Sequence, residues 1–312
     1  MSVLHSEPRD PTPTVGQAAT NPNPTVRQAS SARIVAVRGG VVEERDDRLV
    51  GEEPLEIRAV GPGQESIAVA VTMRTPGFEA ELAVGFLRTE GLIDGLADLA
   101  GHGGVDGPDG AAGVTFGDPA ALAQPDDTVI VHLHRQFDVG RIAERHFVAT
   151  ASCGICGKAT LDDIAVRCDP LPAGRPIVAR DVLLGLPAAL RADQAVFETT
   201  GGLHAAGLFT AAGELVTLRE DVGRHNAVDK LVGAELMAGR LPLHDRVLLV
   251  SGRVSFEIVQ KAAVAGIPFL AAVSAPSDLA VEAADRLGLT LVGFLRDDGF
   301  NVYAHPERVA GL

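Results

Sequence analysis

The amino-acid sequence predicts a mixed α/β protein, with a mostly parallel sheet and flanking helices in the C-terminal part and a β-rich N-terminal part. After residue 181, apolar strands alternate with helical stretches of about 10 residues, which is typical of crossovers onto parallel strands. These strands are apolar at nearly every position, as expected when helices cover both faces of a sheet. Before residue 74, three short β-branched runs follow one another with no helical pattern between them.

The chain has 312 residues, of which 46% are apolar, so it is long enough for two domains and a sizeable core. Residues 1–32 are rich in Pro, Thr, Gln, Asn and Ser and carry few bulky apolar side chains, so we predict a disordered tail there. We divide the remainder into a β-rich region with one helix (33–150), a connector with a cysteine-containing loop (151–180) and an α/β domain (181–312).

The first region is predicted from short alternating runs, with a turn at Pro76 before an amphipathic helix. In chain order the predicted elements are strands at 34–37, 55–60 and 67–73, a helix at 78–90, and strands at 114–116, 129–133 and 146–150. The Gly-, Asp- and Ala-rich stretch 99–127, which contains the weak strand at 114–116, is otherwise predicted to be irregular.

The second region is predicted to contain a helix at 181–191, a hairpin of 204–210 with 214–219, and a long helix at 222–239. Strands at 246–250, 268–273 and 289–294 then alternate with helices at 255–265 and 278–287. Parallel strands end at a common edge, where ligands bind in open α/β sheets. We therefore expect Gly252, Ser274 and Phe294 to lie side by side at such an edge.

The net charge of −14 argues against nucleic acid and anionic membranes as partners, because both attract basic proteins. No stretch approaches the roughly 20 uncharged apolar residues of a membrane span, and the first 30 residues lack the apolar core of a secretory signal. Three cysteines do not resemble a secreted disulfide framework. We expect a cytoplasmic protein that binds neither nucleic acid nor membrane.

The most informative motif is a C-x-x-C formed by Cys153 and Cys156 in the segment TASCGICGKATLDD. Gly154 and Gly157 leave the sulfur atoms uncrowded. Lys158 and the start of a predicted helix both favour the thiolate, which is the reactive form of cysteine. The pair is therefore predicted to be both accessible and reactive.

Three interpretations of this pair are open: half of a structural zinc site, a thioredoxin-like dithiol, or a carrier that holds sulfur as a persulfide. A closed zinc site needs four ligands, and Cys168 and His204 are poorly spaced to complete one. The segment also lacks the tryptophan-type flank of thioredoxin-like motifs. A persulfide carrier needs only an accessible cysteine of low pKa.

His204 follows two glycines in the segment FETTGGLHAA. Zinc-deaminase chemistry requires a Glu two residues after such a histidine, and this chain has Ala206 there. We therefore predict a structural histidine.

Charged residues crowd a predicted helix start in the segment REDVGRHNAVDK. One interpretation is a salt-bridged helix with Asp221 as its N-cap. The other is an anion site, in which the first turn offers free N–H groups from Gly223 and cationic side chains from Arg224 and His225. The sequence favours neither.

Seven segments, taken together, resemble one known family: TPGFEAELAVGFL, SCGICGK, TTGGLHAA, REDVGRHNAVDK, SGRVSFEIVQKA, AVSAPSDLAVE, and LTLVGF followed by NVY. They occur in the same order as in the formate dehydrogenase accessory sulfurtransferase family, FdhD. The match extends over residues 34–308, so only the N-terminal tail and the last residues lie outside it.

The resemblance implies a function. Family members pass sulfur from a cysteine desulfurase to the molybdenum cofactor, bis-molybdopterin guanine dinucleotide, before it enters formate dehydrogenase. The resemblance also implies a homodimer and a fold related to cytidine deaminases without their zinc site. It places the persulfide on Cys153 and a secondary role on Cys156. It places cofactor binding on Phe294, Leu295, Arg296, Asp297, Asp298 and Gly299, and it implies no metal ligands.

On this interpretation, guanine nucleotides should act as partial mimics of the cofactor. Asp297 or Asp298 is expected to accept hydrogen bonds from guanine. The expected phosphate-binding cations are Arg219, Arg224, Arg253 and Arg296. Two rival functions are a non-catalytic escort for the molybdenum cofactor and a zinc-stabilised interaction module.

Overall fold

The computed structural model describes residues 28–101, 113–117, 127–136, 168 and 171–312. In these residues the chain forms four sheets and six α-helices, together with two single-turn 3-10 helices. The elements in chain order are β1 (Ala29–Arg38), β2 (Val41–Val50), β3 (Glu53–Val60), β4 (Ile67–Arg74), α1 (Glu79–Thr89), β5 (Val114–Phe116), β6 (Thr128–His132), β7 (Val178–Ala179), α2 (Arg180–Ala192), α3 (Ala195–Thr200), β8 (His204–Thr210), β9 (Leu215–Asp221), α4 (Arg224–Met237), β10 (Arg246–Val250), α5 (Phe256–Val264), β11 (Phe269–Ala272), α6 (Asp278–Leu287), β12 (Thr290–Arg296), β13 (Gly299–Ala304) and β14 (Val309–Ala310).

The N-terminal part consists of a two-stranded ribbon, β1 with β2, and a four-stranded sheet in the order β4-β3-β6-β5. In this sheet β3 runs parallel to β6, and the other pairs are antiparallel. Alternating apolar residues of β3 and one face of α1 form its core. Leu55, Ile57, Leu82 and Leu87 are fully buried there.

The C-terminal part is built on a six-stranded sheet in the order β13-β12-β11-β10-β8-β9. The strands β10, β11 and β12 are parallel, whereas β8, β9 and β13 join them through antiparallel pairs. Helices cover both faces, with α4, α5 and α6 on one side and α2 on the other. A small parallel pair, β7 with β14, forms a separate two-stranded sheet, and its Val178 and Val309 are buried in the core on the α2 side.

A close helix crossing joins the two parts of the molecule, because α1 packs directly against α4. A Cβ atom placed on Gly85 would lie 1.8 Å from the carbonyl oxygen of Asp229, and one on Gly233 would lie 1.9 Å from that of Glu81. Only glycine at both positions allows the two backbones to approach this closely. This close approach fixes the distance between α4 of the C-terminal part and α1 of the N-terminal part.

The predicted mixed α/β class is confirmed. The parallel portion is narrower than predicted, because the predicted β8–β9 hairpin joins β10 through an antiparallel pair and a tight turn at Asp297-Asp298 returns β13 antiparallel to β12. The strand β1 begins at Ala29 and so includes the last residues of the predicted tail; pairing with β2 supplies the order that their small side chains do not.

Most predicted elements are present within one or two residues of their expected ends. The predicted strand at 146–150 lies outside the described residues. The proposed division at residues 32, 150 and 180 stays a prediction. Among the described residues, every helix is too short or too polar to cross a membrane.

Candidate functional site

The carboxyl ends of β10, β11 and β12 meet at one edge of the six-stranded sheet, here called the carboxyl edge. The N–H of Phe294 donates to the carbonyl of Ser274 at 3.1 Å, and that of Val254 to the carbonyl of Ala275 at 3.1 Å. The predicted side-by-side arrangement of Gly252, Ser274 and Phe294 is therefore confirmed. Because β8 is antiparallel to β10, its first residue, His204, also lies at this edge.

The predicted cofactor segment forms the end of β12 and a tight turn into β13, rather than an open loop. Phe294 has a positive φ of 53° at a break in the strand register, and its side chain is 44% exposed. The side chain of Leu295 is fully buried in the core, which leaves only its backbone for a ligand. The guanidinium of Arg296 donates to the carbonyl of Val273.

The tip of this turn presents two exposed carboxylates, Asp297 and Asp298. On the side facing α2, it borders an open pocket of about 380 Å³. The lining residues are Arg180, Asp181, Leu184, Asp298, Gly299, Phe300 and Leu312. Four of the six predicted cofactor residues, Phe294, Arg296, Asp297 and Asp298, thus have exposed side chains at the carboxyl edge or its rim.

The first turn of α4 brings Arg224 and His225 to the carboxyl edge. His225 is held in place, since its Nε2 lies 2.8 Å from Glu257 Oε2 and 3.2 Å from Ser255 Oγ at the start of α5. Arg224 differs, because its Nε is buried and has no hydrogen-bond partner among the described residues. A buried N–H without a partner carries a desolvation cost, so Arg224 has unused capacity to bind an anion.

His204 packs against the same turn. A Cβ atom on Gly252 would lie 3.2 Å from His204 Nδ1 and 3.6 Å from Arg224 Cβ, so glycine lets β8, β10 and α4 converge. Burial lowers the pKa of His204, and the positive charges of Arg224 and His225 lower it further, while the Asp221 carboxylate opposes the change. The imidazole is therefore neutral at neutral pH.

The structure separates the two interpretations of the charged helix start. Asp221 is fully buried; its carboxylate accepts from the N–H groups of Thr75 and Gly223 and from the Asn226 amide, and pairs with Lys230 at 2.7 Å. Asp221 is therefore not the N-cap of α4, as one interpretation predicted. The N-cap residue is Gly223, whose N–H donates to the Asp221 carboxylate. The salt-bridged interpretation holds for Asp221 and Lys230, and the anion interpretation remains for Arg224.

Two of the predicted phosphate-binding cations lie in contrasting environments. Arg219 is buried, donates from Nη2 to Glu81 Oε1 at 2.8 Å, and lies 4.4 Å from the centre of the Phe78 ring. It therefore stabilises the contact with α1 and is removed from the set of phosphate ligands. Arg253 is exposed beside Gly252 and stays in that set.

The cysteines were the strongest sequence signal, but Cys153 and Cys156 lie outside the described residues. Cys168 is partly buried and packs against the core that the sheet shares with α4, α5 and α6. Within the described ranges, no group of three or more His, Cys, Asp or Glu side chains is placed to hold a metal ion.

Sequence reasoning did not foresee the position of His204 beside the charged helix start, because it treated this histidine as an isolated residue. The sequence signal that could have located it is the pairing of two predicted strands. If 204–210 and 246–250 are adjacent antiparallel strands, then His204 falls opposite Gly252, next to the charged helix start.

Comparison with known proteins gives a consistent result. The family model described as FdhD/NarQ matches residues 50–310. Proteins named sulfur carrier protein FdhD are 47% identical in Nocardia farcinica, over 92% of this chain and 96% of the relative, and 48% identical in Streptomyces avermitilis, over 91% and 96%. The relative from Sulfurisphaera tokodaii is 39% identical over 90% of this chain and 99% of its own length.

A solved structure has the same fold. It is described as a formate dehydrogenase accessory protein from Desulfotalea psychrophila, and it superimposes with a TM-score of 0.65 over 90% of this chain and 99% of that chain. At 23% sequence identity, this likeness supports the fold alone.

Proposed function

The chain belongs to the FdhD/NarQ family, and on that premise we propose that it is a sulfur carrier required for formate dehydrogenase activity. One observation carries the proposal: relatives named sulfur carrier proteins are 47–48% identical over more than 90% of both chains. The C-x-x-C of Cys153 and Cys156 supplies the chemistry that such a carrier needs. The proposed partners are a cysteine desulfurase, formate dehydrogenase and a second copy of this chain, all in the cytoplasm.

Loading is a thiol exchange on sulfur. The Cys153 thiolate attacks the outer sulfur of the persulfide on a cysteine desulfurase. An S–S bond forms on Cys153, the S–S bond of the donor breaks, and the donor cysteine leaves as a thiolate with the bonding electron pair. No external oxidant or reductant is consumed. Cys156 is the secondary cysteine, to which the sulfur passes by the same exchange.

In delivery, Cys153 donates the outer sulfur to the molybdenum of bis-molybdopterin guanine dinucleotide, which is the substrate. The persulfide bond breaks and Cys153 leaves as a thiolate. The transferred sulfur becomes sulfide by gaining two electrons, and the reduced molybdenum supplies both. The cofactor then enters formate dehydrogenase.

The carboxyl edge suits the guanine ends of this cofactor. The exposed ring of Phe294 offers a surface on which a base can stack. Asp297 or Asp298 can accept hydrogen bonds from the guanine N1–H and 2-amino groups, which adenine lacks. The phosphates then meet the cations Arg224, Arg253 and Arg296, while the net charge of −14 repels other polyanions. A homodimer would offer two equivalent sites to the two ends.

Sulfur loading is tested by the intact mass of the protein after incubation with a cysteine desulfurase and cysteine. We expect a gain of about 32 Da, the mass of one sulfur in a persulfide. Cys153→Ala should abolish both this gain and formate dehydrogenase activation, whereas Cys168→Ala, the matched control, should retain both. Full loading of Cys153→Ala would overturn the assignment.

The same measurement tests the escort function, and metal analysis of the purified protein tests the zinc-stabilised module. An escort that only protects the cofactor would show no mass gain on any cysteine. A zinc-stabilised module would contain stoichiometric zinc when purified without chelator and would lose its fold when Cys153 or Cys168 is replaced.

Base recognition is tested by titration calorimetry with GDP and ADP. We expect GDP to bind more tightly, because the guanine N1–H and 2-amino groups can donate to a carboxylate of the turn and adenine lacks both donors. Replacing Asp297 and Asp298 together by Ala should remove the preference. Equal affinity for GDP and ADP in the wild-type protein would exclude this turn from reading the base.

A further inference from the structure

The ribbon of β1 and β2 exposes a group of valines at its tip. Val35 and Val37 of β1 are 63% and 67% exposed, and Val41 and Val42 of β2 are 65% and 67% exposed. Val35, Val37 and Val42 share one face, because Val37 lies two residues after Val35 and pairs with Val42 across the ribbon. The four valines belong to none of the three apolar cores of the described residues. An exposed apolar patch with a polar border is typical of an interaction surface.

The two edges of the ribbon differ in charge. In β2 the run 43–48 is charged at every position, whereas β1 has only Arg33 and Arg38. Charged residues on an edge strand discourage pairing with another chain. In the described part of the chain no third strand joins this sheet, so the uncharged run 34–37 of β1 lies on an open edge. A two-stranded ribbon is marginally stable alone, so a further strand would stabilise it.

The charge of the ribbon indicates which partner fits this edge. Residues 29–50 contain four Arg and four Asp or Glu, so the formal net charge of the ribbon is zero, while the whole chain carries −14. Two copies of such an acidic protein repel each other, and the repulsion is weakest where neutral ribbons meet. A basic partner would instead be attracted to the acidic remainder of the chain. The neutral apolar edge therefore fits a second copy of this chain.

We propose that β1 pairs with β1 of a second copy, so that two ribbons join into one four-stranded sheet in the order β2-β1-β1-β2. The two-fold symmetry of a dimer makes the central pair antiparallel. An axis near Val35 brings the runs 34–37 of both copies together and keeps the two Arg33 side chains apart. The inference deepens the proposed function, because it names the surface by which the proposed second copy binds.

The base of the ribbon lies beside the carboxyl edge. A Cβ atom on Gly202 would lie 3.0 Å from Val50 Cγ1 at the end of β2, and His204 begins β8 two residues later. Six residues separate Ala29 from Val35, which corresponds to about 20 Å of strand. Antiparallel pairing therefore places the two carboxyl edges at opposite ends of the joined sheet. The dimer presents two equivalent edges without covering either one.

The oligomeric state of the full chain tests the proposal. Sedimentation velocity over a range of protein concentrations measures the dissociation constant of the dimer. We expect the wild-type protein to dimerise, and to dimerise more tightly as NaCl is raised from about 50 to about 500 mM, because salt screens the repulsion between two acidic molecules.

Two matched double variants locate the surface. Val35→Lys with Val37→Lys places four like charges at the centre of the joined sheet and should weaken the dimer roughly 100-fold or more. Val71→Lys with Met73→Lys is the control, because these two side chains are also exposed and lie two residues apart on β4, the edge strand of another sheet. It should leave the dissociation constant unchanged. Both variants reduce the net negative charge equally, so a general effect of charge would tighten both dimers.

An exchange of charges provides the second test. Val35→Lys and Val35→Asp should each dimerise poorly alone, and an equimolar mixture should form a heterodimer, because opposite charges on neighbouring strands attract. Formation of the heterodimer also shows that both variants are folded.

Three results would overturn the ribbon as the interface: an unchanged dissociation constant in Val35→Lys with Val37→Lys, equal weakening by the β4 control, or a mixture that fails to associate. A monomeric wild-type protein would overturn both this inference and the homodimer of the proposed function. Sulfur loading of Cys153, which the intact mass measures, would stand in either case.

Discussion

The helix α4 carries two clusters of charged residues that differ in how their charges are satisfied. In the middle of the helix, Asp229 is buried, and both of its carboxylate oxygens accept from Lys261 Nζ at 2.9 Å. Thr89 donates to the same carboxylate at 2.7 Å, and Lys261 also pairs with Glu90 at 3.2 Å. At the first turn, by contrast, Arg224 keeps a buried Nε with no described partner.

The difference shows that a concentration of charge is not by itself a sign of function. Burial opposes the positive charge of Lys261, but the carboxylates of Asp229 and Glu90 more than compensate and raise its pKa. The charges of this cluster pair with one another and so hold α1, α4 and α5 together. At the first turn, Arg224 of the same helix lies near His204 of β8, a neutral imidazole whose pKa is lowered, and both side chains are available to respond to a ligand.

The largest effect is expected from breaking the middle cluster. Asp229→Ala leaves Lys261 buried without its main partner, which should lower the free energy of unfolding by about 3–5 kcal/mol. Urea unfolding followed by circular dichroism measures the change. The double variant Asp229→Leu with Lys261→Met should be considerably more stable than the single variant. A single variant as stable as the wild-type protein would contradict the structural role.

A smaller loss is expected at the helix crossing beside this cluster. Gly85→Ala places a methyl group against the backbone of α4, and we expect a loss of about 2–3 kcal/mol from overpacking. Gly185→Ala in α2 is the control, because no atom lies within 4 Å of its added Cβ. It should stabilise the protein by about 0.4–1 kcal/mol. Equal thermal unfolding of the two variants would contradict the close crossing.

Replacing Arg224 should have little effect on folding. Arg224→Gln removes a charge whose Nε has no described partner, so we expect a change in stability within about 0.5 kcal/mol. Urea unfolding next to Asp229→Ala makes the contrast direct. A loss as large as that of Asp229→Ala would show that Arg224 stabilises the fold in the same way as the middle cluster.

The smallest effect is a difference in pH dependence. The pKa of His204 in the folded protein lies below the usual value of 6.5, so the unfolded chain binds more protons as the pH falls from 6.5 towards the folded pKa. Stability from the neutral ring is therefore present above pH 6.5 and is lost through that interval on acidification. His204→Gln should show a shallower loss between pH 7 and pH 5, measured by urea unfolding. Parallel pH curves would contradict a lowered pKa.

The helices and strands that pack on the core were predictable, because the periodic spacing of their apolar residues is visible within each short segment of sequence. The alternation in β3 and the helical spacing of α1 both match the observed elements. The strand β2 was not predicted: its sequence VVEERDDRLV is mostly charged and exposed, and its pairing with β1 orders it, with Arg33 lying 3.1 Å from Glu44. The strand β13 was missed because the turn at Asp297-Asp298 looked like an open loop.

By itself, the sequence determined the fold class, the positions of most strands and helices, the C-x-x-C pair and the family. Each of these depends on residues that are neighbours along the chain or on the order of short motifs. Only the tertiary structure decided which charges are paired. Arg219 forms an ion pair with Glu81, and Lys230 forms one with Asp221, whereas Arg224 lies near Gly252 without a carboxylate partner among the described residues. Nothing in the local sequence pattern distinguishes these three cations. The physical reason is that pairing and burial depend on contacts between distant segments, set here by the crossing of α1 with α4.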